Sequence, residues 1–252
     1  MRTYAIGDIH GHLDLLHIAH ARIKADRAAC GDADAPIVHL GDLVDRGPDS
    51  RGVLAHLRQG IDAGENWVVL KGNHDRMFAL FLDDPAAQDD GLRTVYSYLH
   101  PAIGGAATLA SYGVANPADR PVAQVHIDGV AAVPAPDRAF LRSRPTWYRR
   151  GEVVYVHAGI RPGIAMEEQA ETDLVWIRAP FLEFTDDHGF LVVHGHTALD
   201  AAVHYGNRVN IDSSAAYGGP LTAIVVEGRQ TWILTDAGRV PLTPEAPENA
   251  AP

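Results

Sequence analysis

Tyr4-Ala5-Ile6-Gly7-Asp8-Ile9-His10-Gly11, near the start of the chain, is a short apolar run that passes directly into a polar loop. Beyond the loop, Leu13, Leu16 and Ile23 recur at the spacing of one helix face. The helical pattern stops at Cys30-Gly31, and glycine is a common residue just beyond a helix end. The segment therefore predicts a strand, a loop and a helix, in that order.

The same unit repeats further along the chain. Ile37 to Leu40 and Trp67 to Leu70 are apolar runs of strand length, and Ser50 to Ala63 between them has helical spacing. A further helix carries Met77 and Phe81. Strands that alternate with helices at this spacing are typical of βαβ units and a parallel sheet.

The second half of the chain is richer in strands. The predicted strands are Val153 to Val156, Leu191 to Val193, Val209 to Ile211, Leu221 to Val226 and Thr231 to Leu234. Residues from about 84 to 150 have no clean periodicity and are expected to form a small cap of helices and loops. We predict an α/β fold of two packed sheets, a β-sandwich flanked by helices (α/β/β/α), as one domain over residues 1–241 with a flexible tail at 242–252.

Composition excludes several classes of protein. The 252 residues include 32 Asp and Glu against 21 Lys and Arg, a net charge of −11. Nucleic-acid binding needs clustered basic residues, so nucleic acid is not an expected partner. The single cysteine, Cys30, cannot close an internal disulfide or a thiolate zinc site. The N-terminus lacks the apolar centre of a signal peptide, and Gly and Pro interrupt the longest uncharged stretch, Leu99 to Ala118. We expect a soluble, cytoplasmic monomer that does not contact membranes.

Five polar clusters each follow an apolar run directly: Gly7 to Gly11, Gly41 to Gly47, Gly72 to Asp75, His157 to Gly159, and His194 to Thr197. Ligands of open α/β sheets bind outside the carboxyl ends of the strands, so these loops are expected to meet in one site. Asp, His and Asn without Cys are suited to Mn²⁺, Fe or Zn²⁺. Six candidate ligands are more than one catalytic ion takes from a protein, which favours two ions that share a carboxylate, with Asp42 as the natural bridge.

The ordered motifs GDIHG, GDLVDRG, GNHD, HAG and GHT extend from Gly7 to about Gly228, nearly the whole chain. This pattern resembles the calcineurin-like metallophosphoesterases, and in particular the phosphoprotein phosphatase branch with its bacterial and phage-type Ser/Thr phosphatases. The resemblance implies metal ligands Asp8, His10, Asp42, Asn73, His157 and His196, with Asp42 as the bridge and a hydroxide shared by the ions as the nucleophile. His196 is preferred to the nearby His194 because the ligand in the family is the His after Gly in GHT.

Four further residues are assigned to phosphate binding and proton transfer. Arg46 and Arg178 are the candidates for binding the phosphoryl oxygens, since the planar guanidinium matches two oxygens at once. His74 is the candidate general acid, and Asp45 would hold its ring and raise its pKa. The alternative for Asp45 and Arg46 is a structural ion pair.

Three functions are compatible with these motifs. The leading hypothesis is a phosphomonoesterase, dependent on Mn²⁺ or on Fe and Zn²⁺, that acts on phosphoserine and phosphothreonine in proteins. Phosphotyrosine is a further candidate substrate. The alternative is a symmetrical diadenosine tetraphosphate hydrolase, in which the cap admits a nucleotide. The third is a noncatalytic module that binds phosphorylated partners, which an intact His74 and Asp45 disfavour.

Two smaller expectations concern residues outside the main motifs. Three stretches resemble segments of the bacterial phosphatases and are expected to line the substrate cleft: His157 to Gly163, Gly104-Gly105 with Thr108-Leu109 and Ser111 to Gly113, and Ile211 to Gly219. The histidines without ligand spacing are interpreted as surface or half-buried side chains: His12, His17, His20, His39, His56, His100, His126, His188 and His204.

Overall fold

The structure, a computed structural model, describes residues 1–244. The predicted tail therefore lies mostly outside the described residues. Of its first residues, Leu242 ends the last strand and Pro244 forms a bridge with His204. Within residues 1–244, no helix combines the length and the apolar character needed to cross a bilayer.

Helices and strands alternate through much of the chain. The helices are α1 Leu13–Cys30, α2 Ser50–Asp62, α3 Asn73–Asp83, α4 Gly105–Ser111, α5 Val122–Ala132, α6 Ala135–Arg142, α7 Glu171–Trp176 and α8 Ala179–Leu182. The strands are β1 Arg2–Ile6, β2 Ile37–His39, β3 Trp67–Val69, β4 Trp147–Arg150, β5 Val153–Val156, β6 Leu191–His194, β7 Val203–His204, β8 Arg208–Asn210, β9 Ala223–Glu227, β10 Gln230–Thr235 and β11 Gly238–Leu242.

The strands form two sheets, which confirms the predicted two-sheet α/β fold. The first sheet has the order β11-β10-β9-β1-β2-β3, and its β1, β2 and β3 are parallel. The second has the order β4-β5-β6-β8-β7, and its β5, β6 and β8 are parallel. The halves of the chain do not correspond to the sheets, because β9 pairs antiparallel with β1 and brings the C-terminal strands into the first sheet.

Side chains of strand β1 are buried in two different apolar layers, one on each face of the first sheet. Tyr4 and Ile6 are fully buried among the helices that cover the first sheet. Ala5, between them in sequence, is fully buried between the two sheets. Successive side chains of a strand point to opposite faces, so an uninterrupted apolar run is required where both faces are covered. A third apolar cluster, around Phe181, covers the outer face of the second sheet.

The segment predicted as a cap packs against the main body. Leu109 of α4 and Phe140 of α6 belong to the same apolar cluster as Phe78 of α3. The last four residues of the predicted segment form β4, an edge strand of the second sheet. The helical part therefore ends at Arg142, and it forms part of the helical layer over the first sheet.

Candidate active site

The five predicted loops meet at one edge of the sandwich, after β1, β2, β3, β5 and β6. The cleft there has a volume of about 390 Å³. Seven of the ten predicted site residues line it together with Trp176, and the other three lie just behind the lining. The seven are Asp8, His10, Arg46, Asn73, His74, Arg178 and His196, and the three are Asp42, Asp45 and His157.

Several of these residues have strained backbone conformations. His10, Asp42, Asp45, Arg46 and His196 all have positive φ, between 45° and 73°. Residues other than glycine rarely adopt this left-handed region, and such strain persists only where the surrounding structure enforces it. These strained residues all lie at one edge of the sheets, which indicates a functional site there.

The imidazoles of His10 and His157 are fixed by the backbone. Nδ1 of His10 lies 2.9 Å from the carbonyl oxygen of Val44, and Nδ1 of His157 lies 3.0 Å from that of Leu40. A carbonyl oxygen accepts, so both Nδ1 atoms carry the proton and both Nε2 atoms are bare. A histidine that binds a metal usually has this arrangement, in which one ring nitrogen donates to a backbone carbonyl and the other is bare.

Asp42 lies between these two histidines. Its Oδ2 is 3.3 Å from Nε2 of His10, and its Oδ1 is 3.3 Å from Nε2 of His157. Two groups of potential ligand atoms, each within 4.8 Å of one another, share this carboxylate: His10, Asp42 and His74 in one, and Asp42, His157 and His196 in the other. Asp42 is therefore the residue that the two groups have in common.

Unpaired polar atoms test whether cations fit. Oδ1 of Asp8 and Nε2 of His196 are buried and have no hydrogen-bond partner among residues 1–244, although buried polar atoms are normally paired. Burial, together with repulsion from Asp212 and Asp42, raises the pKa of Asp8 well above its ordinary value. Burial also acts on Asp42, but His157, His74 and His10 outweigh it and hold the pKa of Asp42 well below its ordinary value. Crowded carboxylates and bare ligand atoms suit two divalent cations.

Glycines make room for the carboxylates. A Cβ on Gly195 would lie 1.9 Å from Oδ1 of Asp8, and a Cβ on Gly72 would lie 2.2 Å from Oδ1 of Asp42. Both contacts are shorter than any nonbonded approach allows. The glycines of the GNHD and GHT motifs are therefore required by close packing against candidate metal ligands.

His74 and Asp45 form a buried pair. Nδ1 of His74 lies 2.7 Å from Oδ2 of Asp45, whose other oxygen accepts from the hydroxyls of Tyr98 and Thr108, each at 2.7 Å. The ring is therefore held in one orientation. The sequence predicted a raised pKa for His74, but burial outweighs Asp42 and Asp45 and lowers this pKa below its ordinary value. Thr108, predicted to line the cleft, is completely buried behind Asp45.

Both predicted arginines lie in the cleft. Nη1 of Arg46 is 2.9 Å from Nε2 of His10, and its guanidinium stacks 5.2 Å from the ring centre of Tyr217. Asp45 pairs with His74 rather than with Arg46, so the alternative of a structural ion pair is not the observed arrangement. Arg178 donates to the carbonyl oxygen of His196 over 3.4 Å.

The structure also separates His194 from His196. His194 is fully buried, with its Nδ1 3.0 Å from the carbonyl oxygen of Gly195 and its ring against Phe181. His196 lies in the cleft lining, where the sequence placed the ligand.

Asp212 and Tyr217 line the cleft, as expected for the stretch from Ile211 to Gly219, although the sequence assigned neither residue a role as a ligand or in catalysis. Burial raises the pKa of Asp212 above its ordinary value. Tyr217 remains 67% exposed at the rim. Asp212 had a sequence signal, since it follows the apolar run Val209 to Ile211 directly, as the other clusters follow theirs.

Four of the histidines without ligand spacing meet on the helix side of the first sheet. His17 and His20 of α1, His39 of β2 and His56 of α2 form a connected group. His39 is completely buried, so its interpretation as a surface or half-buried residue was wrong. Burial lowers the pKa of His20 to about 2 and that of His39 to about 3.

Sequence comparisons identify proteins to which this chain is similar. The sequence profile of the calcineurin-like phosphoesterases matches residues 1–220. A symmetrical bis(5'-nucleosyl)-tetraphosphatase of Acidovorax sp. is 32% identical over 174 residues, which are 67% of this chain and 47% of that protein. Serine/threonine-protein phosphatase 1 of Salmonella typhimurium is 39% identical over 77 residues, 30% of each chain. The matched segments cover less than half the length of either relative.

A comparison of folds gives the same architecture. The structure of a cold-active protein-tyrosine phosphatase from a psychrophile Shewanella species aligns with a TM-score of 0.59 at 20% identity, over 96% of this chain and 80% of that one. At this identity the likeness concerns the arrangement of the two sheets and their helices.

Proposed function

This chain belongs to the calcineurin-like phosphoesterase family, and on that premise we propose that it hydrolyses phosphoric monoesters of serine and threonine in proteins with the help of two divalent metal ions, Mn²⁺ being the expected metal. The observation that carries the proposal is the buried pair of His74 and Asp45, 2.7 Å apart, beside two groups of ligand atoms that share Asp42. A proton donor at that position has a purpose in ester cleavage and none in phosphate binding alone.

The residues that would hold the metals are Asp8, His10, Asp42, Asn73, His157 and His196. Two divalent cations, when bound there, would lower the pKa of water and neutralise the phosphoryl oxygens. Asn73 presents its Oδ1 2.9 Å from Nε2 of His157, so amide and imidazole face the same point.

The remaining polar residues act on the substrate itself. Arg46 and Arg178 bind the phosphoryl oxygens through their guanidinium groups. His74 gives a proton to the oxygen of the departing serine or threonine, which would otherwise leave as a poor alkoxide group. Asp45, held by Tyr98 and Thr108, orients the His74 ring and offsets part of the cost that burial imposes on its charged form.

The size of the cleft favours a phosphorylated side chain. A volume of about 390 Å³ is at the low end of the range for small-molecule sites, roughly 300–1,000 Å³. It suits a phosphoryl group at the end of a short side chain, with the flanking peptide over the rim near Tyr217.

A second candidate function is symmetrical hydrolysis of diadenosine tetraphosphate. It is favoured by the Acidovorax relative, whose name describes that activity, and by the aromatic rings at the rim. Tyr96 and Tyr217 line the cleft and offer faces on which a base could stack.

The two substrates are distinguished by one kinetic comparison. With Mn²⁺ added, kcat/KM is expected to be at least about tenfold higher for a phosphoserine peptide than for diadenosine tetraphosphate, a difference of about 1.4 kcal/mol in transition-state binding. A preference for the dinucleotide would replace the first proposal by the second. If metal-loaded protein bound the phosphopeptide and cleaved neither compound, the noncatalytic binding module would be the correct function.

A further inference from the structure

The connected histidines on the helix side of the first sheet have a defined hydrogen-bond order. Nε2 of His20 lies 2.9 Å from Nε2 of His39, and Nδ1 of His20 lies 3.0 Å from Nε2 of His56. Nδ1 of His39 lies 3.3 Å from the carbonyl oxygen of Val68. His20 is therefore the central ring, and it connects the buried strand to the surface of α2.

The hydrogen bond between His39 and the backbone fixes the proton positions on the connected rings. The carbonyl oxygen of Val68 accepts, so Nδ1 of His39 carries the proton and its Nε2 is bare. Nε2 of His20 must then be the donor to His39, so Nδ1 of His20 carries no proton and accepts from the N–H at Nε2 of His56. An imidazole with its inner N–H held by the protein and its outer nitrogen bare is arranged as a metal ligand is.

We propose that His17, His20 and His56 form a second metal site, separate from the active site, that takes a zinc-type divalent ion and ties α1 to α2. His17 lies three residues before His20, so both are on one face of α1. Its ring centre is 4.7 Å from that of His56. His17 is exposed, and its side chain is therefore free to change rotamer and complete the set with water.

The distances suit a metal of this type. Zn–N bonds of 2.0–2.1 Å in a tetrahedron separate two ligand nitrogens by about 3.3 Å. The observed separation of 3.0 Å between His20 and His56 needs to grow only by a few tenths of an ångström. The proton on Nε2 of His56 moves to its Nδ1, so the ring stays neutral and no proton is lost.

The donor set differs from that of the active site. Its three ligands are imidazoles, which suit Zn²⁺, Cu²⁺ and Ni²⁺, whereas the carboxylates of the cleft also suit Mn²⁺. The Trp67 ring stacks on His20, with 4.5 Å between ring centres and 24° between planes, and the space for it comes from Gly60 of α2. The indole is a rigid wall of the proposed site and a natural reporter for it.

Zinc stoichiometry tests the proposal. Equilibrium dialysis of the metal-stripped protein against Zn²⁺ is expected to give one more ion per chain for the wild type than for His56→Gln, with His126→Gln on α5 as a matched control that keeps the wild-type count. Equal zinc content in the wild type and His56→Gln would overturn the proposal.

Fluorescence gives a second readout, and it can be applied to a variant of the exposed residue His17, whose replacement leaves the core unchanged. Cu²⁺ is expected to quench the emission of Trp67 in the wild type, and the quenching component should be absent from Trp67→Phe. The surface variant His17→Gln should need at least about tenfold more Cu²⁺ for the same quenching, since loss of even an outer partner of a ligand costs about 10–100-fold in affinity. Identical titrations of the wild type and His17→Gln would exclude His17 from the site.

Discussion

Replacement of His74 by Asn is expected to lower kcat for a phosphoserine peptide by about 10²–10⁴, the range that a positioned general acid contributes. The alkoxide of serine is a poor leaving group and needs a proton as the bond to phosphorus breaks. An aryl phosphate with an activated leaving group needs that proton much less, and its kcat is expected to fall by less than about tenfold. The measurement is kcat for the two esters with the wild type and His74→Asn.

Two further results decide what His74 does. Because His74 belongs to one of the groups of potential ligand atoms, the metal content of His74→Asn must be measured as well. We expect it to equal that of the wild type, with His126→Asn as a control that changes neither rate nor metal. Equal losses of kcat for the activated and unactivated esters would refute the role of proton donor.

Asp42→Asn is expected to have the largest effect on the metal centre. Asn has the same shape but lacks the negative charge, and only one of its two polar atoms can bind a cation. Since both groups of ligand atoms share Asp42, metal content should fall at both sites and stay clearly below two ions per chain. Turnover should fall by about 10³ or more, because several kcal/mol of charge stabilisation would be lost.

Metal analysis of the purified variant after Mn²⁺ loading measures this directly. Asp137→Asn supplies a matched control, since Asp137 is a buried carboxylate that pairs with Arg58 and accepts from Tyr112, and none of these three residues lines the cleft. If the Asp42→Asn protein still held two ions per chain, Asp42 would not be the bridge between them.

Much of the fold could be predicted because its signals are local. The apolar run from Tyr4 to Ile6 predicts a strand that is covered on both faces, and Gly31 predicts the end of the helix that follows. β4 was missed because it is an edge strand whose Arg149 and Arg150 break the apolar pattern. The pairing of β9 with β1 joins residues more than two hundred positions apart, and no local pattern carries that information.

Some features of the candidate site could likewise be predicted from the sequence, and others could not. Asp8, Asp42 and Asn73 follow strands in glycine-flanked motifs, so their convergence was predictable from the order of the elements. The pKa of His74 was not, because the cost of burying its charge depends on side chains contributed by distant loops. The group around His20 comes from three elements without a shared motif, and only the packing of α1 on α2 brings it together.

The central claim is that loops from both sheets bind a pair of divalent cations across Asp42. Its most direct test is an anomalous difference map from a crystal of the wild-type protein grown with Mn²⁺. Two peaks are predicted in the cleft, with oxygens of Asp42 bonded to both, Asp8 and His10 at one, and Asn73, His157 and His196 at the other. A map of the same crystals with no peak in this cleft would contradict the claim.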